Sequence, residues 1–172
     1  HDSIRAVSDL REVVHGADIA LLSVPSKSMD HVCSELARVI TEETALLSTT
    51  KGIRSDGFKL MSQVISEILP DHPVGVLSGP NLAREVAERH LTASVVASQS
   101  PIVRKLTRDA FATKYFRLYS SEDLISVELG GALKNIYAIN AQHWIPRTEQ
   151  TEINERMALD RKLRRMIAGK DT

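Results

Sequence analysis

Short apolar runs and amphipathic helical stretches alternate along the first 120 residues of the chain. The apolar runs are four to six residues long and end at Pro, Gly or polar residues, which is typical of buried strands. Between them, apolar residues recur three and four positions apart, as on one face of a helix. The pattern predicts strands at 19–24, 45–49, 74–77, 93–97 and 116–119, and helices at about 28–40, 56–69, 83–86 and from Pro101 onward.

Strands that alternate with helices of this length predict an α/β fold with a mostly parallel sheet. From Asp123 to about Asn140 the helical periodicity is uninterrupted, which is typical of the start of an all-helical domain. We therefore divide the chain into residues 1–120, 121–140 and 141–172. The last of these is a charged stretch, which we interpret as a solvated helix, with binding to an acidic surface as the alternative.

Composition narrows the class of protein. Lys+Arg and Asp+Glu both number 22, so the formal net charge is zero, which argues against a nucleic-acid partner. No apolar run approaches the roughly 20 residues of a membrane span. Cys33 is the only cysteine, which excludes an internal disulfide and favours the reducing cytoplasm. The six histidines have no metal-ligand spacing, so we predict no metal site.

Three polar loops follow predicted strands, at Val24-Pro25-Ser26, 49–52 and 78–81. In open α/β sheets, ligands bind beyond the carboxyl ends of the strands, and all three loops would lie on that edge. Lys51 would bring a positive charge there, and Gly79-Pro80-Asn81 would open a helix. The alternative interpretation of each loop is an ordinary turn.

A second candidate lies in the helical stretch that begins at Glu128. Gly130 and Gly131 are adjacent within it, although each glycine in a helix costs about 1 kcal/mol relative to alanine. We interpret the pair as a place where something approaches the backbone closely. Because helical side chains lean toward the N-terminus, Lys134 would project over the two glycines as a ligand-binding residue. The alternative is a lysine on a solvated face.

Two nucleotide-binding motifs are not matched. Gly52 and Gly57 have the glycine spacing of a P-loop, but Phe58 stands where that motif requires lysine. The dinucleotide-binding pattern G-x-G-x-x-G is absent from the 172 residues.

Taken in order, the candidate motifs resemble the NAD(P)-dependent glycerol-3-phosphate dehydrogenases of the bacterial type. The resemblance extends from about Ile4 to Ile139 and implies a partial Rossmann-like domain followed by the start of a helical substrate domain. The stretches that carry it are Val24-Pro25-Ser26, Thr50-Lys51-Gly52, Leu77-Ser78-Gly79-Pro80, Phe116-Arg117-Leu118-Tyr119-Ser120 and residues 127–135.

The resemblance implies interconversion of sn-glycerol 3-phosphate and dihydroxyacetone phosphate with NAD or NADP, feeding glycerophospholipid synthesis. Lys134 matches the catalytic base, which takes the C2 hydroxyl proton as hydride leaves, and it also contacts substrate. By the same match Lys51 binds both substrate and cofactor, Gly79 and Asn81 bind substrate, and Ala83 binds cofactor. Most members of the family have Ser or Thr at the position of Asn81.

Parts of the family pattern are missing, namely the glycine-rich turn and an arginine that binds the substrate phosphate. We therefore expect the chain to be a fragment that is weakly active or inactive. One alternative is a non-catalytic α/β module for binding or oligomerisation. Another is a dehydrogenase of similar plan that acts on a different 2-hydroxy compound. The expected partner is the small-molecule substrate, and the candidate assembly is a homodimer.

Overall fold

The computed structural model describes residues 4–41 and 43–133. The described residues up to Ala132 belong to one compact unit. In this part of the chain the elements, in order, are α1 (Leu10–Val14), β1 (Ile19–Leu22), a 3-10 turn (Ser26–Ser28), α2 (Met29–Leu36), β2 (Ala45–Ser48), β3 (Ile53–Arg54), β4 (Lys59–Leu60), α3 (Met61–Ile68), β5 (Val74–Ser78), α4 (Ala83–Ala87), β6 (Thr92–Ala97), α5 (Pro101–Phe111), β7 (Phe116–Ser121) and a helical stretch over 124–133.

Five strands form the main sheet, in the order β1-β2-β5-β6-β7. The pairs β1/β2, β2/β5 and β6/β7 are parallel, whereas β5 and β6 are antiparallel. The mostly parallel α/β sheet predicted from the sequence is therefore confirmed. The connection between the antiparallel β5 and β6 spans residues 79–91 and contains α4.

The core lies on both faces of this sheet. Successive residues of a strand point to opposite faces, so the fully buried Leu46 and Leu47 of β2 enter different clusters. Leu46 packs in the cluster to which α2 and α3 contribute, and Leu47 packs in the smaller cluster with Val103 of α5. The buried members of the larger cluster are Val14, Leu22, Met29, Cys33, Leu36, Leu46, Met61, Val64, Ile65 and Leu69.

The prediction of a helix starting near residue 56 is wrong. A two-stranded antiparallel hairpin, β3-β4, occupies this region, and α3 begins only at Met61. Gly57 and Phe58 have φ values of +74° and +51°, which a right-handed helix does not allow. Arg54 holds the hairpin against the helices through Asp30 of α2 at 2.6 Å and Glu67 of α3 at 3.4 Å.

β1 is an edge strand of the described sheet and pairs with β2 alone. Leu21, in its middle, is 44% exposed. This edge leaves backbone groups that another strand could pair with.

Residues 134–172 lie outside the described residues. They include Lys134, the end of the predicted long helix and the charged stretch. The observed helix over 124–133 agrees with the first part of that prediction. The division into residues 1–120, 121–140 and 141–172 stays a prediction.

Candidate active site

Three loops meet at the carboxyl edge of the sheet. β1, β2 and β5 lie side by side in that order and run parallel, so the segments that follow them emerge on the same side of the sheet. These segments are 23–28, 49–52 and 79–82. Loops at this edge of an open α/β sheet are the usual place for a ligand.

Thr50 joins the first two loops. Its hydroxyl donates a hydrogen bond to the carbonyl oxygen of Val24 at 2.7 Å, and it accepts one from the N–H of Val24 at 3.3 Å. Gly52 then passes so close to Ser26 that a Cβ atom on Gly52 would lie 2.7 Å from the Ser26 Cβ. The loop after β1 and the loop after β2 are therefore held as one surface.

Lys51 joins the second loop to the third. Its side chain is exposed, and its Nζ atom donates to the carbonyl oxygen of Gly79 at 3.5 Å. Two of the residues predicted to bind substrate, Lys51 and Gly79, are thus neighbours although 28 positions separate them in the chain.

Gly79 and Asn81 both lie against β6. A Cβ atom on Gly79 would be 2.9 Å from the carbonyl oxygen of Ala93 and 3.0 Å from the Cα of Ser94, so only glycine fits there. The Asn81 amide donates to the hydroxyl of Ser94. Its Oδ1 atom is buried and has no hydrogen-bond partner in the described protein, which leaves an acceptor beside Gly79. Ala83 is exposed at the first residue of α4.

The helix over 124–133 forms one wall of a cleft at this edge of the sheet. Glu128 and Gly131 line it together with residues 48–52 and 76–78. The Glu128 carboxylate accepts hydrogen bonds from both the N–H of Ser62, at 3.1 Å, and the hydroxyl of the same residue. This helix is thereby attached to the first turn of α3.

Burial raises the pKa of the Glu128 carboxyl above its ordinary value, and the hydrogen bonds from Ser62 and from the N–H of Met61 offset part of that rise. A group with a raised folded-state pKa contributes stability that is present below its unfolded pKa and is lost as the pH rises through the folded pKa. A neutral side chain of the same shape therefore suits this position.

The two adjacent glycines have different surroundings. A Cβ atom on Gly131 would lie 2.5 Å from the Ser78 hydroxyl at the end of β5, whereas one on Gly130 would have none of the described residues within 4 Å. The close approach expected at the pair is therefore made by the protein itself at Gly131, whereas no described residue outside the helix approaches Gly130. Lys134 is outside the described residues, so its expected position over the glycines stays a prediction.

Sequence reasoning missed the parts played by Thr50, Ser94 and Glu128. Thr50 and Ser94 act through neighbours at least 13 positions away in the chain, and Glu128 acts through Ser62, which is 66 positions away. The sequence offered one local signal for the contact with Glu128. Leu60 is the residue before α3, and its apolar side chain cannot cap that helix.

Within residues 4–41 and 43–133, no helix is long and apolar enough to cross a membrane. In the same ranges no three His, Cys, Asp or Glu side chains are grouped so that they could hold a metal ion.

Comparison with known proteins decides the family. A family model described as the NAD-dependent glycerol-3-phosphate dehydrogenase N-terminus matches residues 1–103, which is more than half of the chain. The chain belongs to this glycerol-3-phosphate dehydrogenase family. The resemblance drawn from the sequence motifs is confirmed, and the expected cofactor, NAD or NADP, agrees with the family.

Individual relatives agree with the family assignment. Glycerol-3-phosphate dehydrogenase (NAD(P)+) of Saccharophagus degradans is 48% identical over 139 residues, which cover 81% of this chain and 39% of that protein. A crystal structure of glycerol-3-phosphate dehydrogenase from Coxiella burnetii has a TM-score of 0.74 and 34% identity, over 78% of this chain and 41% of that one. The enzyme structure from Dunaliella salina has a TM-score of 0.76 and 29% identity, over 100% of this chain and 31% of that one. The chain thus spans about two fifths of the length of the curated relatives it matches.

Replacing Thr50 with valine is expected to lower the free energy of unfolding by about 1–3 kcal/mol, because the N–H of Val24 loses its acceptor. Thr50→Ser keeps the hydroxyl and is the matched control. Urea unfolding of the two variants and the wild-type chain measures the difference. Equal stability of Thr50→Val and wild type would mean that the hydroxyl does not hold the two loops together.

Proposed function

We propose that this chain provides part of the dinucleotide and substrate site of an NAD(P)-dependent glycerol-3-phosphate dehydrogenase. The reaction is the interconversion of sn-glycerol 3-phosphate and dihydroxyacetone phosphate. The observation that carries the proposal is the joining of the loops after β2 and β5 through Lys51 and Gly79, in a chain of this family.

The cleft has the groups that a phosphorylated three-carbon substrate needs. Lys51 supplies a positive charge for an anionic or polar oxygen, and Asn81 lies against β6 two residues after Gly79. Gly79 keeps the wall beside them free of a side chain. We assign Lys51, Gly79 and Asn81 to substrate, and Lys51 with Ala83 to the cofactor.

The bound dinucleotide would accept or supply the hydride at C2 of the substrate. Lys134 is our candidate for the base that exchanges the C2 hydroxyl proton. That role favours a lysine pKa lowered toward neutrality, and Lys51 as a nearby like charge would act in that direction. The 172 residues contain no G-x-G-x-x-G turn to hold the pyrophosphate, so we propose that the chain alone is weakly active or inactive.

The family assignment also supports three broader proposals. The enzyme would act in the cytoplasm, and its product would feed glycerophospholipid synthesis. A homodimer is the proposed assembly, and sedimentation of the purified chain measures it directly.

Replacing Lys51 with alanine is expected to weaken dihydroxyacetone phosphate binding about 10- to 100-fold, because a hydrogen bond to a charged group contributes about 1.5–3 kcal/mol. Calorimetric titration of the purified chain, with and without NADH, measures the affinity. Lys105→Ala is the matched control, since Lys105 is an exposed lysine paired with Asp109 on α5.

Equal binding by Lys51→Ala and the wild-type chain would contradict the assignment of this cleft. A wild-type chain that binds neither NADH nor NADPH would instead favour the non-catalytic α/β module. Binding of a different 2-hydroxy compound in preference to glycerol 3-phosphate would favour another dehydrogenase of this plan.

A further inference from the structure

Helix α3 begins with only half of a capping box. The residue before it, Leu60, has no side-chain acceptor for the N–H groups of the first turn. The Gln63 amide oxygen accepts from the N–H of Leu60 at 2.9 Å, but that bond leaves the N–H of Ser62 unpaired within the helix. The acceptor for Ser62 comes from Glu128, 66 positions later in the chain.

Both oxygens of the Glu128 carboxylate take part in the contact. One oxygen of Glu128 accepts from the N–H of Ser62 at 3.1 Å, and the other accepts from the Ser62 hydroxyl. Ser62 is buried and Glu128 is partly buried, so little water competes for these bonds.

A second contact lies three residues further along the same helix. Gly131 approaches Ser78 at the end of β5 so closely that a Cβ atom would meet the serine hydroxyl at 2.5 Å. The contact of Glu128 with α3 and the contact of Gly131 with the end of β5 therefore hold the helix over 124–133 at two points. Both residues line the cleft that contains Lys51.

We propose that Glu128 is a positioning residue, which by capping α3 holds the helix over 124–133 against the carboxyl edge of the sheet and so completes the substrate cleft. This inference rests on the proposed function for the identity of the ligand. Glu128 acts through the helix and not by touching the reacting atoms. Its loss leaves both the first turn of α3 and the wall of the cleft less well ordered.

The test uses the full 172-residue chain and four variants: Glu128→Ala, Glu128→Gln, Ser62→Ala and Asp9→Ala. Glutamine keeps an acceptor for the N–H of Ser62 and stays neutral at all pH values. Asp9 caps α1 through the N–H of Arg11 at 2.9 Å and is the matched control for losing a helix cap elsewhere. Backbone hydrogen exchange and affinity for dihydroxyacetone phosphate are measured for each.

Glu128→Ala is expected to speed exchange in 124–133 and at the start of α3 about tenfold or more, and to weaken dihydroxyacetone phosphate binding by a similar factor. Glu128→Gln is expected to restore both values to near those of the wild-type chain. Ser62→Ala, which keeps the N–H, is expected to fall between them. Asp9→Ala should speed exchange in α1 and leave the affinity unchanged.

Unchanged exchange in 124–133 in the Glu128→Ala chain would overturn the inference. So would equal losses of affinity in Glu128→Ala and Asp9→Ala, because that result would indicate a general effect on stability. Failure of the wild-type chain to bind dihydroxyacetone phosphate would overturn the proposed function, but not the hold of Glu128 on the helix over 124–133. The exchange rates would still decide whether Glu128 holds the helix.

Discussion

Alanine at position 79 is expected to lower the free energy of unfolding by about 1–3 kcal/mol and to remove most substrate binding, because the added methyl group collides with β6. The Cβ atom would be 2.5 Å from the Ser94 hydroxyl, 2.9 Å from the Ala93 carbonyl oxygen and 3.0 Å from the Ser94 Cα. A serine hydroxyl can rotate away, but the two backbone atoms belong to a paired strand and cannot move alone.

The collision also affects the site directly. Ser94 receives the hydrogen bond of Asn81, and Gly79 receives that of Lys51. Separating β5 from β6 would shift all of these groups together. We therefore expect the affinity for dihydroxyacetone phosphate to fall at least about tenfold, even under conditions in which the variant is fully folded.

Gly130→Ala is the control for this variant. Position 130 is helical, and a Cβ atom there meets none of residues 4–41 and 43–133 within 4 Å, so alanine should raise the free energy of unfolding by about 0.5–1 kcal/mol. Urea unfolding and calorimetric titration of both variants measure the two effects. A Gly79→Ala chain as stable as the wild type would contradict the close contact between β5 and β6.

Replacing Lys134 with alanine is expected to lower the rate of dihydroxyacetone phosphate reduction about 10²- to 10⁴-fold, which is the usual contribution of a general acid–base group. Since we expect weak turnover from the wild-type chain, the variant should be indistinguishable from a reaction without protein. The expectation depends on the resemblance of residues 127–135 to the family's motif and on the place of Lys134 three residues after Gly131, which lines the cleft.

The measurement follows NADH or NADPH oxidation at high protein concentration, and the affinity for NADH is titrated in parallel. Lys105→Ala, on the exposed face of α5, is expected to keep the wild-type rate. A Lys134→Ala chain that keeps the wild-type rate would contradict the role of base. Loss of NADH affinity together with the rate would indicate binding instead of proton transfer.

The sequence by itself determined the kind of fold and the neighbourhood of the candidate site. Apolar runs of strand length are a local signal, and the structure has strands at all five predicted places. That Lys51 and Gly79 share an edge also followed from the sequence, because the loops after parallel strands emerge on one side. The motif around Lys134 also indicated the family from the sequence, because the motif consists of consecutive residues.

The tertiary structure decided what depends on residues far apart in the chain. The structure has a hairpin at Gly57 and Phe58 where the sequence predicted the start of a helix. The pairing of β3 with β4 and the contacts of the hairpin with α2 and α3 outweigh the local helical periodicity. The direction of β6 depends on its neighbours in the sheet. Glu128 caps α3 across 66 positions, and Gly131 is close to Ser78, only because the folded chain brings those elements together. Periodicity describes one element at a time, so it does not predict contacts between elements.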